Sequence, residues 1–396
     1  MNEKMKNRIY KSLFLIVSAV LLGMYGMLVW KQCWDGREAY LSDLPTHLMF
    51  AKTQRGYSLC DLILSKVYLW SGNNSTVMVI FCTLLLVGCQ ALTMFLVYYI
   101  YKKMYQIKSG LLLYLLSFSS IIVVAFFAHY GGEYGISGPY ANVWHSPTMF
   151  LTRPFMLGII YCTLQVFKNA KEQKPIAKWL VLNAVVTAVC MWAKPSFLAS
   201  FLPALCVYLF IELIRTKGKS FLFSLKLGLS YAVVLPVLLF QMDSLYVKAK
   251  GNETSQMYFK TDLTIGELME NAQELLFAAL FVIVGIILLL VYRKTSKKLL
   301  GFCGLYYLFS EFFALFVKET GERSAHGNFL WSKFLFLFVM MAFVAGEVFL
   351  KPAQKDIPKR WKALAGIIYA GHLITGLLYF WQVFNGRTVL YFLNLG

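Results

Sequence analysis

The sequence predicts an all-α protein that crosses a membrane many times. Of its 396 residues, 59% are hydrophobic and 14% are charged, whereas soluble domains carry about 25% charged residues. The apolar residues fall in blocks of roughly twenty, the length that a helix needs to cross a bilayer core of about 30 Å. Basic residues recur in every second connection between these blocks, as is typical of cytoplasmic loops. Together these observations exclude an ordinary soluble enzyme.

Hydropathy predicts about eleven transmembrane helices in a single transmembrane domain, residues 1–396. The predicted spans are 12–30, 77–100, 110–128, 148–167, 179–193, 196–214, 221–240, 275–292, 299–317, 329–350 and 363–384. The first span is long and lacks a small-residue cleavage site, so we interpret it as a retained anchor and not as a secretory signal.

The distribution of charge predicts the orientation of these spans. The N-terminal segment and every second connection hold 24 of the 38 Lys and Arg residues but only five acids. The formal net charge of +19 therefore lies on the predicted cytoplasmic side, and no nucleic-acid partner is needed to explain it. We expect a multi-pass protein of the cell membrane with a cytoplasmic N-terminus and an extracytoplasmic C-terminus.

The first outer loop, residues 31–76, is far longer than a helix connection requires. Ser42 is followed by a pattern that predicts a helix with Ser42 as its cap and Pro45 in its first turn. Asp43 and His47 would lie on one face of it, with Asp43 kept ionised and able to accept a proton or hold a cation. The alternative is that Asp43 is only a capping acid on an interfacial helix.

Three further outer loops are rich in polar residues. In loop 129–147, glycines, aromatic residues and a proline are typical of a folded-back segment that lines a cavity, and His145 precedes a helix that we expect to begin at Pro147. Loop 241–274 contains a capping-box pattern ahead of an amphipathic helix that we expect to lie on the membrane. Loop 318–328 contains Arg323 and His326, which would reach a phosphate together if the segment is helical. Structural histidines and a solvated loop are the alternatives.

Ionisable residues inside spans are costly and indicate function by default. Four lie toward the outer ends of their spans: Arg153, Lys194, Lys333 and Glu311. If the three cations converge, they would bind a lipid phosphate or pyrophosphate. A lysine that extends its ammonium group to the interface is the alternative, favoured for Lys333 and less so for Arg153 and Lys194, which adjoin prolines.

Of the eight cysteines, six lie in predicted spans without metal-ligand spacing, which is typical of membrane-core thiols. Cys33 and Cys60 share the first outer loop and would be able to pair in an oxidising compartment.

The chain resembles the GT-C superfamily of integral-membrane glycosyltransferases, bacterial type. The resemblance rests on the long first outer loop, the number of spans and four short segments: Asp43–Leu48, Asn142–Thr148, Lys194–Phe197 and Gly327–Trp331. It implies a GT-C-like fold with interfacial helices in the first outer loop. It also implies transfer of a sugar from a polyprenyl-phosphate-linked donor, with inversion of the configuration at the anomeric centre. The acceptor would be lipid-linked or a cell-envelope glycan. The paired acids frequent in that family are not adjacent here, the nearest companions of Asp43 being Asp35 and Glu38.

The resemblance also implies roles for individual residues. Asp43 would be the catalytic base, and Arg153, Lys194 and Arg323 would bind the lipid phosphate. The other predicted substrate-site residues are His145, His326, His47 and Glu311. No cofactor is expected, although a divalent metal is compatible with the chemistry.

Two other functional classes remain open from the sequence. A lipid-linked polysaccharide polymerase or ligase should carry its chemistry on a large late loop with several arginines, whereas here the first loop dominates. A transporter or flippase of lipid-linked sugars tends to have broken helices in repeated halves, and no internal repeat is visible.

Overall fold

The computed structural model describes residues 3–35, 40, 42–107, 110–123, 146–243, 256–293, 297–320, 329–352 and 357–386. The first part of the chain forms α1 (Glu3–Trp34), α2 (Leu44–Thr53), α3 (Leu59–Trp70), α4 (Ser75–Tyr105), α5 (Leu111–Ser119), α6 (Pro147–Lys171) and α7 (Ala177–Ala193). The second part forms α8 (Ser196–Arg215), α9 (Phe221–Tyr231), α10 (Val234–Met242), β1 (Met257–Phe259), α11 (Ile265–Ala278), α12 (Leu280–Leu288), α13 (Lys297–Phe316), β2 (Val317–Glu319), α14 (Trp331–Ala345) and α15 (Lys359–Phe384). Helices α12 and α14 continue as π-helical turns over Leu289–Arg293 and Gly346–Leu350.

The described part of the chain contains seven helices that are long and apolar enough to cross a membrane. Three shorter apolar helices cover Ala177–Ala193, Leu280–Tyr292 and Leu300–Phe316. These ten segments coincide with ten of the predicted spans. The chain is therefore a predominantly helical, multi-pass membrane protein, as the sequence predicted.

The predicted span 110–128 differs from the structure. Here the helix, α5, ends at Ser119 after nine residues, a length of about 13.5 Å that falls well short of a bilayer core. The Ser119 and Ser120 hydroxyls donate to the carbonyls of Leu116 and Ser117, and such local bonds compete with helix continuation. Residues 124–128 lie outside the described part of the chain.

The apolar side chains form two cores. One gathers the later helices α7, α8, α12, α13 and α14, and the other gathers α1, α2, α3, the first half of α4 and the end of α15. The two cores meet along α6, because Met149 belongs to the first and Phe150 to the second. This seam is where sequence-distant helices come together.

A basic side chain, that of Lys31, joins the first helix, α1, to the last described helix, α15. The Lys31 ammonium at the end of α1 donates to the Phe384 carbonyl at the end of α15, at 3.2 Å, and lies 4.3 Å from the centre of the Phe384 ring. A cation at the carbonyl end of a helix is favourable, since that end carries partial negative charge.

Two short strands, which the sequence analysis did not predict, connect the segment before α11 with the segment after α13. Strands β1 and β2 pair antiparallel, with Met257 opposite Glu319 and Phe259 opposite Val317. The predicted capping box that follows β1 is confirmed: Thr264 N donates to Glu267 Oε2 at 2.9 Å, and Glu267 N donates to Thr264 Oγ1 at 3.1 Å. It starts α11 one residue later.

Candidate functional site

Helix α2 begins one residue later than predicted. Asp43 occupies the N-cap position, its side chain makes no capping hydrogen bond, and Pro45 lies in the first turn as expected. Ser42 instead accepts from Leu44 N at 3.2 Å through its hydroxyl. Asp43 therefore occupies the capping position of α2 without a side-chain bond to the helix donors.

The Asp43 carboxylate faces His47, as the four-residue spacing predicted. His47 Nε2 lies 3.7 Å from Asp43 Oδ2, and His47 Nδ1 lies 2.5 Å from Asp61 Oδ1. Burial lowers the pKa of His47, but Asp61 and then Asp43 outweigh it and raise the pKa to about 10. At neutral pH the imidazole is therefore a cation between two carboxylates.

Asp61 was not among the predicted site residues. Its carboxylate is buried, and its second oxygen accepts from Ser58 N in a capping box that starts α3, with Asp61 N donating back to the Ser58 hydroxyl. The Ser-x-x-Asp pattern at 58–61 is a sequence signal for this helix start. The sequence gives no signal that α3 packs on α2 and brings the carboxylate to His47.

Lys194 lies between α7 and α8 and reaches the same region. Its ammonium donates to Thr148 Oγ1 at 3.1 Å and lies 4.7 Å from the centre of the Trp331 ring. Removal from water by burial lowers the pKa of Lys194 to about 8, although the negative charge of the Asp43 carboxylate opposes that shift. The first outer loop, the start of α6, the α7–α8 junction and the start of α14 thus meet around one lysine.

Arg153 lies five residues further along α6 than Thr148, about 7.5 Å deeper along the helix axis. Only 3% of it is exposed. Its guanidinium group lies between two rings, 4.7 Å from the centre of Phe338 and 5.5 Å from that of Phe150. Neither Nε nor Nη1 has a hydrogen-bond partner among the described residues. A buried donor without an acceptor is costly, so Arg153 is suited to receive an anionic ligand.

Lys333 does not extend to an interface, so the interpretation favoured for it from the sequence is wrong. It is 1% exposed, and its ammonium lies 3.6 Å from Glu311 Oε2. It also lies roughly 200° around α14 from Trp331, which contacts Lys194. The predicted cation cluster is therefore divided: Lys333 pairs with Glu311, Lys194 lies beside Thr148 and Trp331, and Arg153 lies between Phe150 and Phe338.

Several predicted residues lie outside the described part of the chain: His145, Arg323, His326 and Glu38. Helix α6 does begin at Pro147, as expected. Cys33 and Cys60 are both buried free thiols, so the pairing considered for them is not formed.

No group of three or more His, Cys, Asp or Glu residues able to hold a metal ion occurs in the segments that the structure describes. The site does offer the partly exposed Asp43 carboxylate, the His47 cation and Lys194, and Arg153 lies about 7.5 Å further along α6 than the Thr148 that Lys194 contacts. No protein-family model matches the chain, and no curated protein is significantly similar to it.

Proposed function

We propose that the protein is an inverting, GT-C-like glycosyltransferase of the extracytoplasmic face. It would move a sugar from a polyprenyl-phosphate-linked donor to a lipid-linked or cell-envelope glycan acceptor. The proposal includes a cytoplasmic N-terminus and eleven membrane crossings, although in the crossing at 110–128 the helix itself ends at Ser119. The observation that carries it is that Lys194, whose pKa the Asp43 carboxylate raises, bonds to Thr148 on α6, the helix that also carries Arg153.

The carboxylate supplies the first requirement of the reaction. Asp43 is 23% exposed at its side chain, so it is accessible to an acceptor while remaining fixed beside His47. The acceptor hydroxyl oxygen would attack the anomeric carbon, and its proton would pass to Asp43 as general base. The bond from the anomeric carbon to the phosphate oxygen breaks at the same time.

The cations supply the second requirement. The electron pair of the broken bond leaves with polyprenyl phosphate, which then carries one more negative charge than it did as a phosphodiester. Lys194 and Arg153 would stabilise that charge in a site with little water, where charge-assisted hydrogen bonds are strong. Arg323, His145 and His326 remain proposed members of the phosphate or substrate site.

Two residues take different places in the proposal from those first expected. His47 directs its ring nitrogens at Asp43 and Asp61, which supports a role beside the base and not on the phosphate. Glu311 pairs with Lys333, which supports a structural role. A leaving phosphate needs no general acid, so one base is sufficient.

The test is Asp43→Asn, compared with Asp262→Asn as a matched control on an exposed acid of another outer loop. Asn retains the shape of Asp but cannot accept the proton, and the change removes no side-chain capping hydrogen bond, since Asp43 makes none. We expect normal membrane insertion and binding of polyprenyl phosphate, with transfer reduced about 10²–10⁴-fold. The measurement is transfer of labelled sugar from a panel of radiolabelled polyprenyl-phosphate hexoses to membrane acceptors.

Each other outcome has a defined meaning. Full transfer by Asp43→Asn rejects this residue as the base and directs the same test to Asp35 and Glu38. Loss of the protein from the membrane assigns Asp43 a structural role. Translocation of labelled lipid without transfer by the wild-type protein favours the transporter class, and chain extension of a lipid-linked glycan favours the polymerase class.

A further inference from the structure

The Asp61 carboxylate is held in one orientation from three sides. Its Oδ1 is 2.5 Å from His47 Nδ1, and its Oδ2 accepts from Ser58 N at 3.3 Å. Gly56 packs directly against it: a Cβ at position 56 would lie 2.1 Å from Asp61 Cβ and 3.0 Å from Oδ2. Only a residue without a side chain fits there, so the local chain encloses this carboxylate and leaves it facing His47.

A capping residue alone does not need this arrangement. A capping box is complete once Ser58 and Asp61 exchange their two hydrogen bonds. The other carboxylate oxygen of Asp61, Oδ1, contacts a histidine fourteen residues earlier, on a different helix. The same imidazole then points its other nitrogen at Asp43 Oδ2, 3.7 Å away. The three side chains form a chain from a fully enclosed acid to a partly exposed one.

We propose that Asp61 is a positioning residue for the reaction: by binding His47 it orients the imidazolium that holds Asp43 toward the acceptor and keeps Asp43 ionised. This inference rests on the proposed function, in which Asp43 is the base. It adds a residue that touches neither the donor nor the acceptor.

The need for such a residue follows from the charge of the donor. An anionic phosphate close to Asp43 favours protonation of that carboxylate, which would inactivate a general base. A cation beside Asp43 counteracts this effect. His47 is cationic at neutral pH because Asp61 and Asp43 raise its pKa to about 10 in spite of burial, and Asp61 offsets the cost of enclosing that charge.

The other groups around this chain do not replace Asp61. Helix α3 adds the Cys60 thiol, whose pKa burial raises well above its usual value, so it is neutral. Helix α1 contributes the Cys33 thiol, and the α7–α8 junction contributes Lys194, which acts on Asp43. Among the described residues, Asp61 and Asp43 are therefore the acids whose charge bears on His47.

The experiment compares Asp61→Asn with Ser58→Ala and His47→Gln. Ser58→Ala removes a hydrogen bond of the same capping box but leaves the Asp61–His47 contact, so it is matched for the effect on α3. Without the Asp61 charge, the pKa of His47 should fall into the range where histidine ordinarily titrates. Transfer from a radiolabelled polyprenyl-phosphate hexose is measured in proteoliposomes across pH.

We expect Asp61→Asn to lose about tenfold to a hundredfold of kcat at alkaline pH, the order of magnitude seen when the partner that orients a metal-bound histidine is removed. At about pH 5.5, where His47 is protonated again, its activity should return to within about threefold of the wild type at the same pH. Ser58→Ala should follow the wild-type profile. His47→Gln should be low at every pH, and adding Asp61→Asn to it should cause no further loss.

A second readout does not depend on transfer. With five histidines in the chain, the ¹³C resonance of His47 can be assigned by its disappearance in His47→Gln. It should not titrate between about pH 5.5 and 8.5 in the wild type, but should do so in Asp61→Asn.

The outcomes separate this inference from the proposed function. The positioning role is overturned if Asp61→Asn and the wild type have equal pH profiles of sugar transfer. It is also overturned if Asp61→Asn and Ser58→Ala lose equal transfer activity, even if Asp43→Asn is inactive. Absence of Asp61→Asn from the membrane, while Ser58→Ala accumulates, makes Asp61 structural and overturns it too. If Asp43→Asn is fully active, the proposed base fails, whatever the resonance of His47 shows.

Discussion

Arg153 and Lys333 are two buried cations in helices of the same protein, and their surroundings differ. Lys333 is 1% exposed and has a carboxylate, that of Glu311, 3.6 Å from its ammonium. Arg153 is 3% exposed and lies between two phenyl rings, with two guanidinium nitrogens that lack hydrogen-bond partners among the described residues.

The comparison shows that burial of a charge does not by itself indicate a binding site. A buried cation paired with an acid serves the packing of two helices, α13 and α14 in this case. A buried cation with free donors keeps capacity for a ligand, and the planar guanidinium group matches the oxygens of a phosphate. Partner geometry, and not position in a span, distinguishes the two residues.

The largest effect should come from breaking the Lys333–Glu311 pair. Lys333→Met leaves the Glu311 carboxylate buried without its cation, which costs about 3–5 kcal/mol of stability. We expect lower accumulation in the membrane and a lower unfolding temperature in detergent. The double variant Lys333→Met/Glu311→Leu should recover most of that loss. A stable single variant that has lost sugar transfer would place Lys333 in the substrate site.

Arg153→Ala should have the opposite signature. It removes a charge whose Nε and Nη1 lack described hydrogen-bond partners but whose guanidinium packs between two rings, so we expect a smaller loss of accumulation and thermal stability than in Lys333→Met. Donor KM should rise, or kcat fall, by at least about tenfold, since charge-assisted bonds are worth roughly 1.5–3 kcal/mol. Arg153→Lys, which retains the charge but not the planar fork, should recover transfer only in part. Normal transfer by Arg153→Ala would show that Arg153 does not bind the donor, and that its unpartnered guanidinium nitrogens do not distinguish it in function from Lys333.

The smallest effect should come from deprotonation of Lys194, which should appear as a dependence of donor KM on pH. The pKa of its ammonium is lowered to about 8, so the cation is present below that pH and is lost as the pH rises through it. Donor KM should therefore be flat below about pH 8 and increase by up to about tenfold per pH unit above it. Lys194→Arg should flatten this dependence, because arginine stays protonated. An identical rise in Lys194→Arg would assign the dependence to another group.

Features of the fold that depend on local sequence were predicted well. Helix α6 begins at Pro147, the Thr264 capping box starts α11, and Asp43 faces His47, all within four residues of sequence. Ten of the predicted spans coincide with apolar helices because hydropathy sums over one continuous segment. The predicted span 110–128 failed where serine hydroxyls bond to nearby carbonyls, a competition that a hydropathy window does not register.

Features that depend on packing between segments could not be predicted. Asp61 reaches His47 only because α3 folds back on α2, and Lys333 reaches Glu311 across two helices. The strand pair at Met257–Phe259 and Val317–Glu319 joins segments about sixty residues apart. Three-residue strands are too short to show a periodic pattern.

The contact between Lys31 and Phe384 has a consequence for biosynthesis. The two residues are 353 positions apart, and a ribosome adds about 5–20 residues per second. For roughly 18–70 s after Lys31 has been made, its partner carbonyl does not yet exist. Over that interval α1 must be retained in the membrane by its own hydrophobicity and by earlier neighbours such as α4. The contact with α15 is therefore among the last to form, and its completion reports that the intervening helices have been inserted.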